Sequence, residues 1–373
     1  MLKTLTINNF KAFANPITID FSKVGDYSFN AEAIKDGIVK TSVIYGKNAS
    51  GKTSLGLAIF DIVGTLTNNH IDTKRYYPYN NMLNNSSLVT FEYRFVFNDT
   101  PLTYSYSKQD LKTIVCEKLV IGNKTIIEYD KNKTDTSLLI NMKGAEHINV
   151  ELSNLNFSIL RYIRANAILE DNKDNRIFKT FYNFVDKMLF FTPLDHVQFI
   201  GYTPIVNQDI LSSIINNGHF DDLQYFFKSV GIEDVLDHQC INGQETLLIK
   251  YQDKYIDFNL VSSSGMKSLL LLYYFLEDIS DSNKSPSLIF IDNFDAFYNY
   301  EVSIFIIEKL KKANCQVILT SHNTSIISND ILRPDCYYIC SKDKITNLHH
   351  STPKLIRFGN DLEKLYKGGA FIN

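Results

Sequence analysis

A chain of 373 residues is long enough for a large core, and its length alone suggests two or three domains. Apolar residues at 45% and charged residues at 21% are an ordinary globular balance, and a formal charge of −3 gives no global attraction to nucleic acid. The longest strongly apolar stretch, Leu269–Leu276, is far too short to cross a bilayer. Met1-Leu2-Lys3 leads straight into a strand pattern, so no leader is expected and the chain reads as cytoplasmic.

Leu2–Ile7 alternates as a strand, the turn Asn8–Phe13 follows, and a second strand fits Ile17–Phe21. The apolar run Thr41–Tyr45 ends in a glycine-rich turn. A helix then runs from Lys52 to about Leu66, with Leu55, Ile59, Ile62, Val63 and Leu66 at helical spacing. Between Leu88 and Tyr129 the period changes to strand, with turns at Asn98-Asp99 and Gly122-Asn123, as in an antiparallel meander. From Leu152 to Val230 the pattern is helical in three stretches. The middle one extends through Phe191, and its aromatic stripe reads as core rather than as a platform for stacking bases.

Strands return at Thr246–Lys250 and Tyr255–Leu260, and after the stretch Ser262–Lys267 a long apolar helix runs to about Ile279. Ser287–Ile291 is a continuous apolar strand that ends in acid, as a strand covered on both faces should. A helix over Tyr300–Lys312, a strand at Gln316–Thr320, a turn at Ser321–Asn323 and a strand at Cys336–Cys340 complete the order. Lys309, Lys311 and Lys312 cluster on that helix and read as a solvated face rather than an anion-facing patch. The five cysteines are scattered and odd in number without a Cys-x-x-Cys pair, so they read as buried small hydrophobes. The eight histidines show no ligand spacing.

Gly46-x-x-x-x-Gly51-Lys52-Thr53 has the spacing of a phosphate-binding loop between a strand and a helix. Glycines at both ends let backbone wrap an anion, and the amides from about Asn48 to Thr53 can point inward. Gly46, Lys47, Asn48, Ala49, Ser50, Gly51, Lys52, Thr53 and Ser54 are therefore the candidate ATP-binding residues. Lys52 is expected at the β- and γ-phosphates and the Thr53 hydroxyl at Mg²⁺.

Asp292, at the end of its apolar strand, is the expected second partner of the Thr53-bound Mg²⁺, because strand ends of a parallel sheet converge on one crevice. Asn293 follows it. A neutral amide can orient water but cannot accept its proton, so hydrolysis is expected to be slow, with Asp295 and Glu301 the nearest alternative bases. His322, after the strand Gln316–Thr320, is a candidate for the γ-phosphate, and Asp292, Asn293 and His322 form the candidate catalytic set.

Together these motifs resemble the ABC-type ATPase heads of the RecF/SMC/OLD group, and most of all the stand-alone bacterial ATPases called the AAA15 family. The resemblance rests on LKTLTINNFKAF at the start, the loop GKNASGKTS, SSSGMKS as a degenerate signature, LIFIDNFDAF and TSHNT. Leu332–Asp335 and the tail Tyr366–Phe371 add to it.

The implied fold is α/β: a phosphate-loop head with a mixed N-terminal β lobe, a parallel RecA-like sheet and a helical insertion. The implied units are a head over 1–70 and 240–373, an antiparallel lobe over 71–150 and the helical insertion over 151–239. The resemblance also implies a homodimer with two nucleotides between the heads, Ser263, Ser264 and Gly265 of one copy completing the other's site. It further implies a separate effector, often a nuclease, in bacterial defence against phage. Two other readings are a RecF/SMC-like ATPase binding DNA in repair, and a phosphate-loop kinase, against which the SSSG motif counts. In departure from the family, Asn293 stands where glutamate is usual, Met266 sits at an often polar position, and no glutamine matches the loop that links nucleotide to insertion.

Overall fold

The computed structural model describes residues 1–69, 71–133, 138–146, 148, 157–193, 198–202, 210–241, 243–280 and 285–371. Parts of the expected helical stretch, 152–156, 194–197 and 203–209, lie outside them.

Two seven-stranded sheets dominate. The first has the order Gln198–Gly201, Met188–Thr192, Leu288–Ile291, Gln316–Ser321, Thr41–Tyr45, Tyr337–Cys340, Ile345–Asn347. Its five inner strands run parallel, and an antiparallel strand pairs onto each edge. The four central strands are buried along their whole length, which explains their unbroken apolar runs. The second sheet is antiparallel, in the order Leu138–Ile140, Lys124–Asp130, Ile114–Ile121, Thr100–Lys108, Val89–Phe97, Leu2–Asn8, Ile17–Asp20. Asn98 and Asp99 both have positive φ, the backbone that a two-residue hairpin needs.

The helix Lys52–Leu66 lies between the sheets, and only Thr53, Ser54 and Gly64 in it escape burial. A helix apolar on every side has to be covered on every side. Against the parallel sheet, Gly56 permits the contact, since a Cβ there would stand 2.5 Å from the Phe290 ring. Against the antiparallel sheet the contact is polar. Asp61 accepts from Lys108 Nζ at 2.7 Å, Tyr106 OH at 2.8 Å and Tyr79 OH at 2.9 Å, while Tyr93 OH donates to the Ala58 carbonyl at 2.6 Å. Gln316 joins the sheets directly: its side chain exchanges two 3.0 Å hydrogen bonds with the backbone of Leu2.

Four local expectations are corrected. The middle helix ends at Asp186, and Met188–Thr192 is instead an inner strand of the parallel sheet. A fully buried apolar run has no periodicity to separate strand from helix. The third helical stretch breaks into Ile210–Asn216 and Phe220–Ser229 at Gly218, whose φ of +75° ends the first. The strand expected over Tyr255–Leu260 stops at Asp257, whose carboxylate caps the short helix Phe258–Val261 by accepting from Asn259 N. Lys311 is buried rather than solvated, with its ammonium on Glu308 at 2.7 Å and on the Ile331 carbonyl and Asn30 at 3.0 Å.

The Lys108–Asp61 pair is desolvated, with side chains 2% and 0% exposed. Removing one partner of such a pair leaves an uncompensated buried charge. Lys108→Met is expected to destabilise the fold by about 3–5 kcal/mol in urea unfolding, and a loss within the error of the measurement would refute that role.

Candidate functional site

The Thr41–Tyr45 strand delivers the chain into a tight loop closed by Ser50 N donating to the Lys47 carbonyl at 3.1 Å. Ala49 and Gly51 take φ of +60° and +107°, and the helix begins at Lys52. Its first intrahelical bond is Leu55 N to the Gly51 carbonyl at 2.8 Å, so the amides of Lys52, Thr53 and Ser54 have no acceptor within the helix. Two glycines are required by close approach. A Cβ on Gly46 would lie 2.5 Å from the Cys340 carbonyl, and one on Gly51 would lie 2.8 Å from the Phe13 ring. The Lys52 ammonium crosses the loop, donating to the carbonyls of Gly46 at 2.8 Å and Lys47 at 3.3 Å, and burial lowers its pKa.

Asp292 follows the Leu288–Ile291 strand and is buried. Thr53 Oγ1 donates to its Oδ2 at 2.7 Å and Thr320 Oγ1 to its Oδ1 at 2.7 Å. The sequence separation between Thr53 and Asp292 is closed by parallel pairing, because the Gln316–Ser321 strand lies between theirs and all three end on the same side. Asn293 has φ +51°, its N–H donates to Thr320 Oγ1 at 2.8 Å, and its Oδ1 is buried without a partner. His322 Nδ1 stands 3.5 Å from Lys52 Nζ, close enough to accept in the tautomer that leaves Nδ1 bare. Burial and the Lys52 charge lower the His322 pKa. Burial raises that of Asp295, which accepts from Ser321 Oγ at 2.7 Å.

The third group of expected residues lies elsewhere. Ser263 and Ser264 are exposed at the start of the helix Ser264–Ser280, where Ser263 Oγ accepts from Met266 N at 3.2 Å. Gly265 abuts the loop after Asp292, with the Phe297 carbonyl 3.2 Å from where its Cβ would be. Among the described residues no hydrogen bond joins these three to Gly46–Ser54.

The donor set suits a magnesium nucleotide. The loop has free amides, a cation and a buried unpaired hydroxyl on Ser50, and beside it Thr53 and Asp292 offer the hard oxygens that Mg²⁺ prefers. Residues 42–328 match the family model described as "AAA domain, putative AbiEii toxin, Type IV TA system". The chain belongs to this AAA family. The expected resemblance to ABC-type ATPases of the RecF/SMC group stands, as does the α/β phosphate-loop fold. No curated protein matches.

Among solved structures the chain is similar to the SMC head domain from Thermotoga maritima, at 15% identity over 93% of this chain and 98% of that one, with a TM-score of 0.43. The Smc head bound to the C-terminal domain of ScpA, derived from Pyrococcus furiosus, is 11% identical over 93% and 96%, at 0.46. RecF-ATP of the RecFOR pathway is 13% identical over 93% and 99%, at 0.41. At those scores no property of this chain is taken from them.

Sequence reasoning missed three members of the AAA site: Phe13 behind Gly51, Cys340 beside Gly46, and Thr320 on Asp292. Thr320 alone left a signal, as a hydroxyl directly after the apolar run Val317–Leu319. Among the described residues no cluster of three or more His, Cys, Asp or Glu could hold a metal, and no helix is long and apolar enough to cross a membrane.

His322 is expected to titrate below its ordinary 6.5, read by NMR of the ring protons. A cation beside the ring disfavours its protonation, so Lys52→Met should move that titration upward. An unmoved titration would separate the two residues.

Proposed function

We propose that this protein is an ATP-binding ABC-type ATPase that closes as a homodimer around two nucleotides. It would serve as sensor or scaffold for a separate effector, possessing slow ATP hydrolysis of its own, in bacterial defence against phage. The observation that carries the nucleotide reading is the 2.7 Å hydrogen bond between Thr53 at the loop and Asp292 at the neighbouring strand end. Gly46–Ser54 and Lys52 would hold the phosphates, and Thr53 with Asp292 the Mg²⁺, which when bound neutralises charge on the β- and γ-phosphates.

Slow turnover follows from Asn293, since the residue after Asp292 has no group to take a proton from water. The dimer is supported by what surrounds the signature serines. Ser263 and Ser264 are exposed, and beside them Leu260 is 81% exposed and Val261 49%, an apolar rim that a second copy would cover. The effector reading draws on the family, whose description names a toxin–antitoxin system.

Lys52→Ala should abolish ATP binding by calorimetry, and retained tight binding would refute the site. Ser263→Arg should leave ATP binding intact but prevent the doubling of mass that ATP produces in light scattering. An ATP-independent mass in the wild type would refute the sandwich. Asn293→Glu should raise phosphate release by about 10²-fold or more, the lower end of what a general base supplies. An unchanged rate would show that the amide does not limit hydrolysis.

A further inference from the structure

We propose that Thr320 is a positioning residue for the cation site, fixing the Asp292 carboxylate through the oxygen that Thr53 does not take. This rests on the reading of Gly46–Thr53 and Asp292 as a magnesium-nucleotide site.

Thr320 is fully buried in the Gln316–Ser321 strand, after four apolar or amide residues that pack into the sheet. A valine would fill the same space, so the hydroxyl must answer to something other than packing, because burying one without partners is costly. It has two partners. Oγ1 donates to Asp292 Oδ1 at 2.7 Å and accepts from Asn293 N at 2.8 Å. The Thr320 carbonyl accepts from Phe294 N at 3.1 Å, so one residue holds Asp292, Asn293 and Phe294 in succession. The regular ladder between these strands stops one step earlier, at Ile291 opposite Leu319. Where the backbone ladder ends, the threonine side chain continues it.

Each Asp292 oxygen thus receives one hydroxyl, Thr53 on Oδ2 and Thr320 on Oδ1, and the plane of the carboxylate is set. The two donors differ in kind. Thr53 is itself the expected cation ligand and would turn its oxygen to the ion. Thr320 belongs to the buried strand, and its hydroxyl bonds only the acid and the Asn293 amide, so it keeps that orientation in both states. Hydroxyl-to-carboxylate bonds are of the strong, charge-assisted kind. Partners of this type commonly change metal affinity by about 10–100-fold when removed.

The test measures ATP affinity of the full chain by calorimetry in EDTA and in Mg²⁺, for wild type, Thr320→Val and Thr320→Ser. Thr320→Val should lose about tenfold or more of the gain that Mg²⁺ gives, while its affinity in EDTA changes by less than about twofold. Thr320→Ser should recover the gain to within about twofold, because it keeps the hydroxyl. A Mg²⁺ gain unchanged in Thr320→Val, or an equal loss in both media, overturns the proposal.

Should Thr320→Val fail to fold by circular dichroism, hydrogen exchange in the wild type decides. The Asn293 amide should exchange more slowly with ATP and Mg²⁺ than with ATP and EDTA, and equal rates overturn the proposal. A wild type that binds no ATP in either medium would instead refute the nucleotide reading, and the role of Thr320 would fall with it.

Discussion

The structure turns on a shared carboxylate. Asp292 lies at the end of one parallel strand and is held by a hydroxyl from each of two other elements, the phosphate-loop helix and the neighbouring strand. A buried acid is costly unless hydrogen-bonded, so this position is stable only when the three elements arrive in one register. Parallel pairing supplies it, with Ile291 opposite Leu319 and Ser321 opposite Tyr45. The same three strand ends therefore carry Gly46, Asp292 and His322 to one crevice.

The register in turn needs the loop helix to be immobile between two sheets. Apolar contact alone is non-directional and would let a helix slide or rotate by a residue. The Asp61 cluster prevents that, because its carboxylate must meet Lys108, Tyr79 and Tyr106 together. Removing Lys108 leaves the buried charge of Asp61 uncompensated. Glu117 repeats the device farther out. Tyr104 OH donates to it at 2.7 Å, and so does the first amide of the helix Ile159–Asn166, also at 2.7 Å, while burial raises its pKa. The antiparallel lobe is thus joined to its neighbours by buried acids rather than by grease alone.

Much of this was legible in the residues. The loop, its helix from Lys52 to Leu66 and Asp292 announced themselves because anion binding demands fixed residue types at fixed spacing. The meander was legible from its period of two and its turn pairs. What the sequence concealed has one physical origin: a residue that acts through a long-range contact carries no local signature. Met188–Thr192 is an inner strand only because Leu288–Ile291 lies beside it. Lys311 looked solvated, and Glu308, Asn30 and the Ile331 carbonyl make it a buried bridge. Thr320 and Phe13 are of the same kind.

Asn293 shows where structure ends and chemistry begins. Its φ of +51° favours asparagine, whose short amide tolerates the left-handed region. The backbone could be taken as the whole reason for the missing glutamate, and magnitudes decide against that. A longer side chain at such a φ costs about 1–2 kcal/mol, paid once from folding stability, of which a domain has about 5–15 kcal/mol. A general base lowers a barrier by a factor of about 10²–10⁴ in every turnover. The penalty is within reach of the fold, since Thr320 already pins the Asn293 amide and the site around it is built. Backbone conformation therefore permits an acid at 293 and does not explain the amide, whose buried, unpaired Oδ1 faces the same constraint without the catalytic return. Under the proposed slow turnover, the choice at that position sets how long a bound nucleotide is kept.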